Sequence, residues 1–258
     1  MKWPKWLMLV RHDTSIYNLL KKEKEIDPKY AEFLNEWKVN PLSKQSENFA
    51  RQIQDIYTPK ITGDADTPLA DPQGLQAQRT GAELRIRHVD LPDVVFVSPY
   101  RRAKQTLASM VKGWPELSSV HVHEEERVRE QEYGLSLIYT DRRVFETLNP
   151  DQHKLRKIEG PYWYRFPQGE NVPDVRERNR SWMNMVVQNY SGKKVMVITH
   201  HLNILAQRAN FEGFGAETFI RLDRSECPIN CGVTLYRAQD GSVNDTQMNL
   251  EYYNKKFY

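Results

Sequence analysis

Short, wholly apolar runs alternate along the chain with longer stretches in which apolar residues recur every three or four positions. Apolar runs of four or five residues fit strands buried on both faces, and the longer pattern fits helices that cover them. Strands are predicted at Trp6–Val10, Val94–Val97, Val120–His123, Val195–Ile198 and Cys231–Tyr236, with a last one near Thr246–Tyr252. Helices are predicted between them. One spans Gly74–His88, after the turn-forming Asp71-Pro72-Gln73-Gly74, and another Arg101–Lys112, just after Ser98-Pro99. A third spans Asp174–Tyr190, where Val175, Trp182, Met185 and Val186 make one stripe, and a fourth His201–Asn210. This order predicts an α/β fold, a three-layer α/β/α sandwich around a mainly parallel sheet.

Two segments stand outside the alternation. Residues 19–66 are rich in Lys, Glu and Gln, with Phe33, Leu34 and Trp37 as scattered apolar points. A structureless loop of that length is unusual, so the segment reads as an inserted helical excursion, its charge run a solvated helix face. Residues 134–173 carry Pro161-Tyr162-Trp163-Tyr164-Arg165-Phe166-Pro167 and read as a lid or wall. Neither is flanked by a linker, so residues 1–258 are expected to be a single domain with these two cap-forming insertions within it.

Composition narrows the function classes. The 258 residues hold 37 Lys+Arg against 34 Asp+Glu, so there is no polycation for nonspecific nucleic-acid binding. The opening run Trp6–Val10 is far shorter than the ~20 residues of a spanning helix, and it meets Arg11-His12 with no small-residue cleavage site. No membrane association and a cytoplasmic compartment are expected. Cys227 and Cys231 lie in Cys-Pro-Ile-Asn-Cys with no second Cys or His pair in the nearby sequence, so they read as reduced thiols rather than a zinc site.

The chemistry gathers at predicted strand ends. Arg11-His12 ends the first strand, His200 ends the run Val195–Thr199, and Arg102 opens a helix one turn beyond Val94–Val97. Ligands of open α/β sheets bind beyond the carboxyl ends of the strands, so these residues converge on one edge. Guanidinium forks match phosphate oxygens, and a helix beginning near Arg102 adds backbone N–H groups facing an anion. There is no carboxylate set suited to Mg²⁺ and no Walker loop, so a metal-free phosphate pocket is expected, with no cofactor.

Five motifs, in order over residues 9–200, resemble those of the histidine phosphatase superfamily, which includes the cofactor-dependent phosphoglycerate mutases. They are Leu9-Val10-Arg11-His12 followed by Asn18, Pro68-Leu69 through Gly74 and Ala77, Ser98-Pro99-Tyr100-Arg101-Arg102, Val128-Arg129-Glu130, and Val197-Ile198-Thr199-His200. The resemblance implies that His12 is the nucleophile of a phosphohistidine intermediate. Arg11, Arg102 and His200 would hold the phosphoryl oxygens, and Glu130, rather than its neighbour Glu132, would be the general acid and base. Asn18 is either a phosphate donor or a turn-stabilising residue. The chain departs from the family where Gly usually follows each histidine, with Asp13 and His201. Asp13 is expected to turn away from the pocket to a backbone donor, and His201 to cap the following helix or line the substrate entrance.

The stretch Tyr164-Arg165-Phe166-Pro167 through Gly169-Glu170 resembles the broad-specificity phosphatase relatives, with Arg165 and Glu170 either shaping the substrate entrance or pairing with each other. The implied activity is hydrolysis of a small phosphomonoester. Mutase-type transfer and a non-catalytic phosphate-binding scaffold are the alternatives, and the substrate's identity and the oligomeric state stay open. His88, His121, His123 and His153 are not expected to ligate metal. The first and last of these read as partnerless, and the middle two as the exposed face of a strand.

Overall fold

In the computed structural model, which describes residues 3–57, 63–87, 89–139, 141–238 and 248–258, six strands form one sheet. They are β1 (Trp6–Arg11), β2 (Val94–Val97), β3 (His121–Glu124), β4 (Lys194–Thr199), β5 (Val233–Ala238) and β6 (Met248–Lys255), in the spatial order β3-β2-β4-β1-β5-β6. β1, β2, β3 and β4 run parallel, and β5 is antiparallel to both of its neighbours. The helices in chain order are α1 (Ile16–Glu25), α2 (Pro28–Val39), α3 (Lys44–Tyr57), α4 (Leu75–Ile86), α5 (Arg101–Gly113), α6 (Arg142–Leu148), α7 (Pro150–Glu159), α8 (Val172–Asn189), α9 (His201–Glu212) and α10 (Ala216–Ser225).

The chain divides into two compact units. The first comprises Met1–Ser15, Ala65–Glu130 and Val172–Tyr258 and contains the sheet. Here strand alternation builds three layers. Trp6, Met8 and Val10 of β1, with Val95, Val97, Met196 and Ile198, pack against Ala77 and Leu84 of α4 and Ala103, Leu107 and Met110 of α5. The intervening Leu7, Leu9, Val94, Phe96, Val195 and Val197 pack on the other face against Trp182, Met183 and Val186 of α8 and Ile204 of α9. Both faces are covered, which is why the central strands lack polar alternation.

The second unit joins Ile16–Asp64 to Gln131–Asn171. Tyr30, Phe33, Ala50, Ile53 and Val144 form one of its small cores, and Phe145, Tyr164 and Phe166 another. Glu170 N donates to Glu132 O at 2.8 Å, and Gly134, at φ +48°, lies so close to the Pro167 carbonyl that a side chain would collide with it. The Asp141 carboxylate accepts from Lys24 Nζ at 2.8 Å and Tyr30 Oη at 2.6 Å, while its other oxygen caps α6 through Arg143 N at 2.7 Å. The charge run 21–25 is therefore not wholly solvated, because Lys24 is buried in this pair.

Several predictions from sequence need correction. The 134–173 insertion is helical at α6 and α7, as a helical cap insertion was expected to be, but α10 was not anticipated. β3 lies one residue later than predicted. His123 is half-buried, its ring stacked 5.3 Å from Phe96 and its Nε2 2.9 Å from Tyr190 Oη, while Val122 is exposed. His153 is buried with Nδ1 3.1 Å from Glu146 Oε2, so it has a partner. β5 begins at Val233 because Cys231 adopts φ +54° in the turn before it. The predicted His88 and Thr246 helix and strand ends lie outside the described residues. Among the described residues, no helix is long and apolar enough to cross a membrane.

Burial opposes ionisation of Asp141, but Lys24, Tyr30 and Arg143 outweigh it and bring its pKa down to about 2. A carboxylate depressed in the folded state stabilises above its unfolded value and loses that contribution as pH falls through the folded one. The stability of the second unit is therefore expected to decline as pH drops from about 4 toward 2. Lys24→Met, which leaves the carboxylate buried without its ammonium, is expected to cost about 3–5 kcal/mol by chemical denaturation. A loss below about 1 kcal/mol would show that the pair does not hold α1 to α6.

Candidate active site

Parallel pairing of β1 with β4 sets Arg11 opposite Thr199, and His12 N donates to Thr199 O at 2.9 Å. The residues next in each chain, His12 and His200, therefore emerge side by side, with ring centroids 5.0 Å apart. On the other side of β4, Ser98 N donates to Ile198 O at 3.0 Å, which brings the turn after β2 and the start of α5 to the same edge. Arg102, in the first turn of α5, is buried and stacks 4.8 Å over the Tyr100 ring. Tyr100 in turn meets His200 edge-on at 5.1 Å.

The hydrogen bonds fix the chemical state of the two imidazoles. His12 Nδ1 lies 2.6 Å from the Asp13 carbonyl, which can only accept, so Nδ1 carries the proton and Nε2 keeps its lone pair. Burial, then the charges of Arg102 and Arg11, pushes the His12 pKa well below 6.5. His200 is pushed well below 6.5 by burial, Arg102 and His12. Its Nε2 is 2.7 Å from Ser98 Oγ, whereas its Nδ1 and the Arg11 Nε are buried with no protein partner among the described residues. These groups suit an anion lying between them. Arg11 itself is oriented by donating Nη1 to the Pro228 carbonyl at 2.6 Å.

Glu130 is buried, and Leu202 N in the first turn of α9 donates to its Oε1 at 3.2 Å. Arg178 of α8 holds the backbone in place, donating to the carbonyls of Arg127 at 2.7 Å and of Arg129 and Glu130 at 2.9 Å each. Nothing in the sequence pointed to Arg178, because it sits in the polar run Arg176–Arg180 and its targets are carbonyls rather than side chains.

The two departures from glycine are resolved differently. The Asp13 carboxylate accepts from Thr14 N at 2.6 Å and from Ala77 N of α4 at 3.0 Å, so it is turned onto backbone donors as expected. Burial raises its pKa, and these donors partly offset the rise. His201 does not cap α9. Its Nε2 lies 2.9 Å from the Asp223 carboxylate on α10. Burial would lower His201, but Asp223 and Cys227 outweigh it and raise the pKa to about 9. Glu170 accepts from Glu132 N at 3.1 Å. Asn18, in the first turn of α1, and the exposed Arg165 belong to the second unit.

The profile of the histidine phosphatase superfamily (branch 1) matches residues 55–250, a span containing Arg102, Glu130 and His200. The chain belongs to this superfamily. Arg11 and His12 precede the matched span and reach the site through β1. The phosphoglycerate mutase-like protein AT74 of Arabidopsis thaliana is 30% identical to this superfamily member over 151 residues, covering 56% of this chain and 46% of that protein. The match thus spans less than half of that relative's length. The probable phosphoglycerate mutase GpmB of Cronobacter sakazakii is 24% identical over 176 residues, covering 66% and 75%. In fold, the chain is similar to a putative alpha-ribazole-5'-P phosphatase from Escherichia coli, with a TM-score of 0.65, 15% identity and coverage of 98% and 97%. A mycobacterial glucosyl-3-phosphoglycerate phosphatase solved with inorganic phosphate gives a TM-score of 0.62 at 17% identity, covering 98% of each chain.

The two neutral imidazoles carry a stability signature. An unfolded chain protonates His12 and His200 as pH falls through about 6.5, while the folded site resists. The unfolding free energy is therefore expected to fall below about pH 6.5, by up to about 1.4 kcal/mol per pH unit for each histidine. His12→Asn should make the decline shallower. Denaturant titrations at closely spaced pH values check this, and an unchanged slope in the variant contradicts the neutral assignment.

Proposed function

We propose that this superfamily member is a cytoplasmic phosphomonoester hydrolase that works through a phosphohistidine on His12 and needs no metal ion or cofactor. The observation that carries the reading is the His12 Nδ1–Asp13 carbonyl contact, which leaves an unprotonated Nε2 among buried cations. In this mechanism, Nε2 attacks phosphorus and the ester oxygen leaves with a proton from Glu130. Water then attacks the phosphohistidine, giving its proton to the Glu130 carboxylate and restoring His12. Arg11, Arg102 and the free His200 nitrogen stabilise charge on the equatorial oxygens, the work a metal performs in other phosphoryl-transfer sites. The cation-rich donor set, with Glu130 committed to proton transfer, supports the metal-free route. The substrate is assigned to small phosphorylated molecules.

Leaving groups provide the test. Glu130→Gln is expected to lower kcat/KM, which reports formation of the phosphohistidine, by about 10²–10⁴-fold for alkyl phosphates, and much less for an aryl phosphate whose leaving oxygen needs no proton. Phosphate release in the presence of chelator measures both. An equal loss on both substrates removes Glu130 as the acid, and activity that depends on added metal overturns the mechanism. The curated relatives named as mutases define the competing reaction. Rapid isomerisation of 3-phosphoglycerate with a trace of 2,3-bisphosphoglycerate, without phosphate release, would assign mutase-type transfer instead.

A further inference from the structure

Beside the phosphate pocket, three side chains that the proposed mechanism does not require for phosphoryl transfer converge from separate elements. They are His201 at the start of α9, Asp223 in the last turn of α10 and Cys227 just beyond it. Their ligand atoms all lie within 4.8 Å of one another. We propose that they bind one Zn²⁺ ion at a site separate from, and adjoining, the phosphate pocket.

The geometry of the pair favours a shared ion over a simple hydrogen bond. The Asp223 oxygen is 2.9 Å from His201 Nε2, yet that buried nitrogen has no partner in hydrogen-bond geometry among the described residues. Two ligands of a tetrahedral zinc lie about 3.3 Å apart, with their lone pairs converging on the ion rather than on each other. The Cys227 thiol donates to the Asp223 carbonyl at 2.7 Å and is exposed, so it can lose its proton and turn to an arriving metal. One nitrogen, one sulfur and one carboxylate oxygen suit Zn²⁺, whereas Mg²⁺ and Ca²⁺ call for oxygen ligands throughout. With three protein ligands and an open side, the fourth position falls to water.

The site is tied to the pocket through the backbone. His201 follows His200, and Cys227 precedes Pro228, whose carbonyl orients Arg11. An ion here joins the supports of two phosphate-binding residues.

The full-length protein, stripped with chelator, is titrated with Co²⁺ and then Zn²⁺. Tetrahedral visible bands and a sulfur-to-cobalt charge-transfer band are expected, displaced by Zn²⁺, together with about one zinc per chain retained through gel filtration and a higher melting temperature. Cys227→Ser should abolish the charge-transfer band, and Asp223→Asn should weaken retention at least tenfold. His12→Asn should bind as the wild type does, which separates this site from the His12–His200 pair. Absence of the sulfur band in the wild type, or equal zinc retention in Cys227→Ser and the wild type, overturns the proposal. These readouts do not depend on turnover, so their failure leaves the His12 mechanism standing, and failure of that mechanism leaves them standing.

Discussion

The candidate active-site edge of this protein rests on one parallel ladder, the pairing of β1 with β4. A single register, Arg11 opposite Thr199, determines that two histidines leave adjacent strands at the same height and face each other. A slip of one residue would send every side chain of the strand to the opposite face, moving Trp6, Met8 and Val10 out of their layer and His12 away from His200. The sheet's two apolar faces therefore specify the position of the candidate active-site edge as well as stability, because each is filled by a different alternate set of the same strands.

With the rings fixed side by side, electrostatics decides their state. Two imidazoles buried among two guanidinium groups cannot readily accept further positive charge, so both are held neutral. In the proposed mechanism, the cost of confining cations together is offset when a phosphoryl dianion binds, which ties the tuning of the nucleophile to recognition of the group it attacks. Glu130 is held by a helix N-terminus and by a backbone that Arg178 fastens at three carbonyls.

The strands and the residues at their ends were legible because burial on both faces leaves unbroken apolar runs, and charge immediately after such a run is conspicuous. Val94–Val97 was read at its observed limits, and β1 and β4 to within a residue at each end. What stayed illegible depends on partners distant in sequence. Lys24 looked like part of a solvated run until Asp141, far along the chain, supplied its partner. The grouping of Cys227 with His201 was not legible because His201 lies on α9, far from Cys227 along the chain, and α10, which carries Asp223, is short and polar enough to escape notice. His121 is exposed as read, but His123 was misread because its partners, Phe96 and Tyr190, come from elements distant in sequence.

The central claim, that the His12 Nε2 becomes covalently phosphorylated, is tested most directly by rapid acid-free quenching of the enzyme with a labelled phosphate ester, followed by peptide mapping. The account predicts an acid-labile, alkali-stable phosphoryl group on the peptide containing His12, formed at a rate that can support turnover and absent from His12→Asn. Turnover with no phosphoryl group on that peptide, or with the label on another residue, would contradict it.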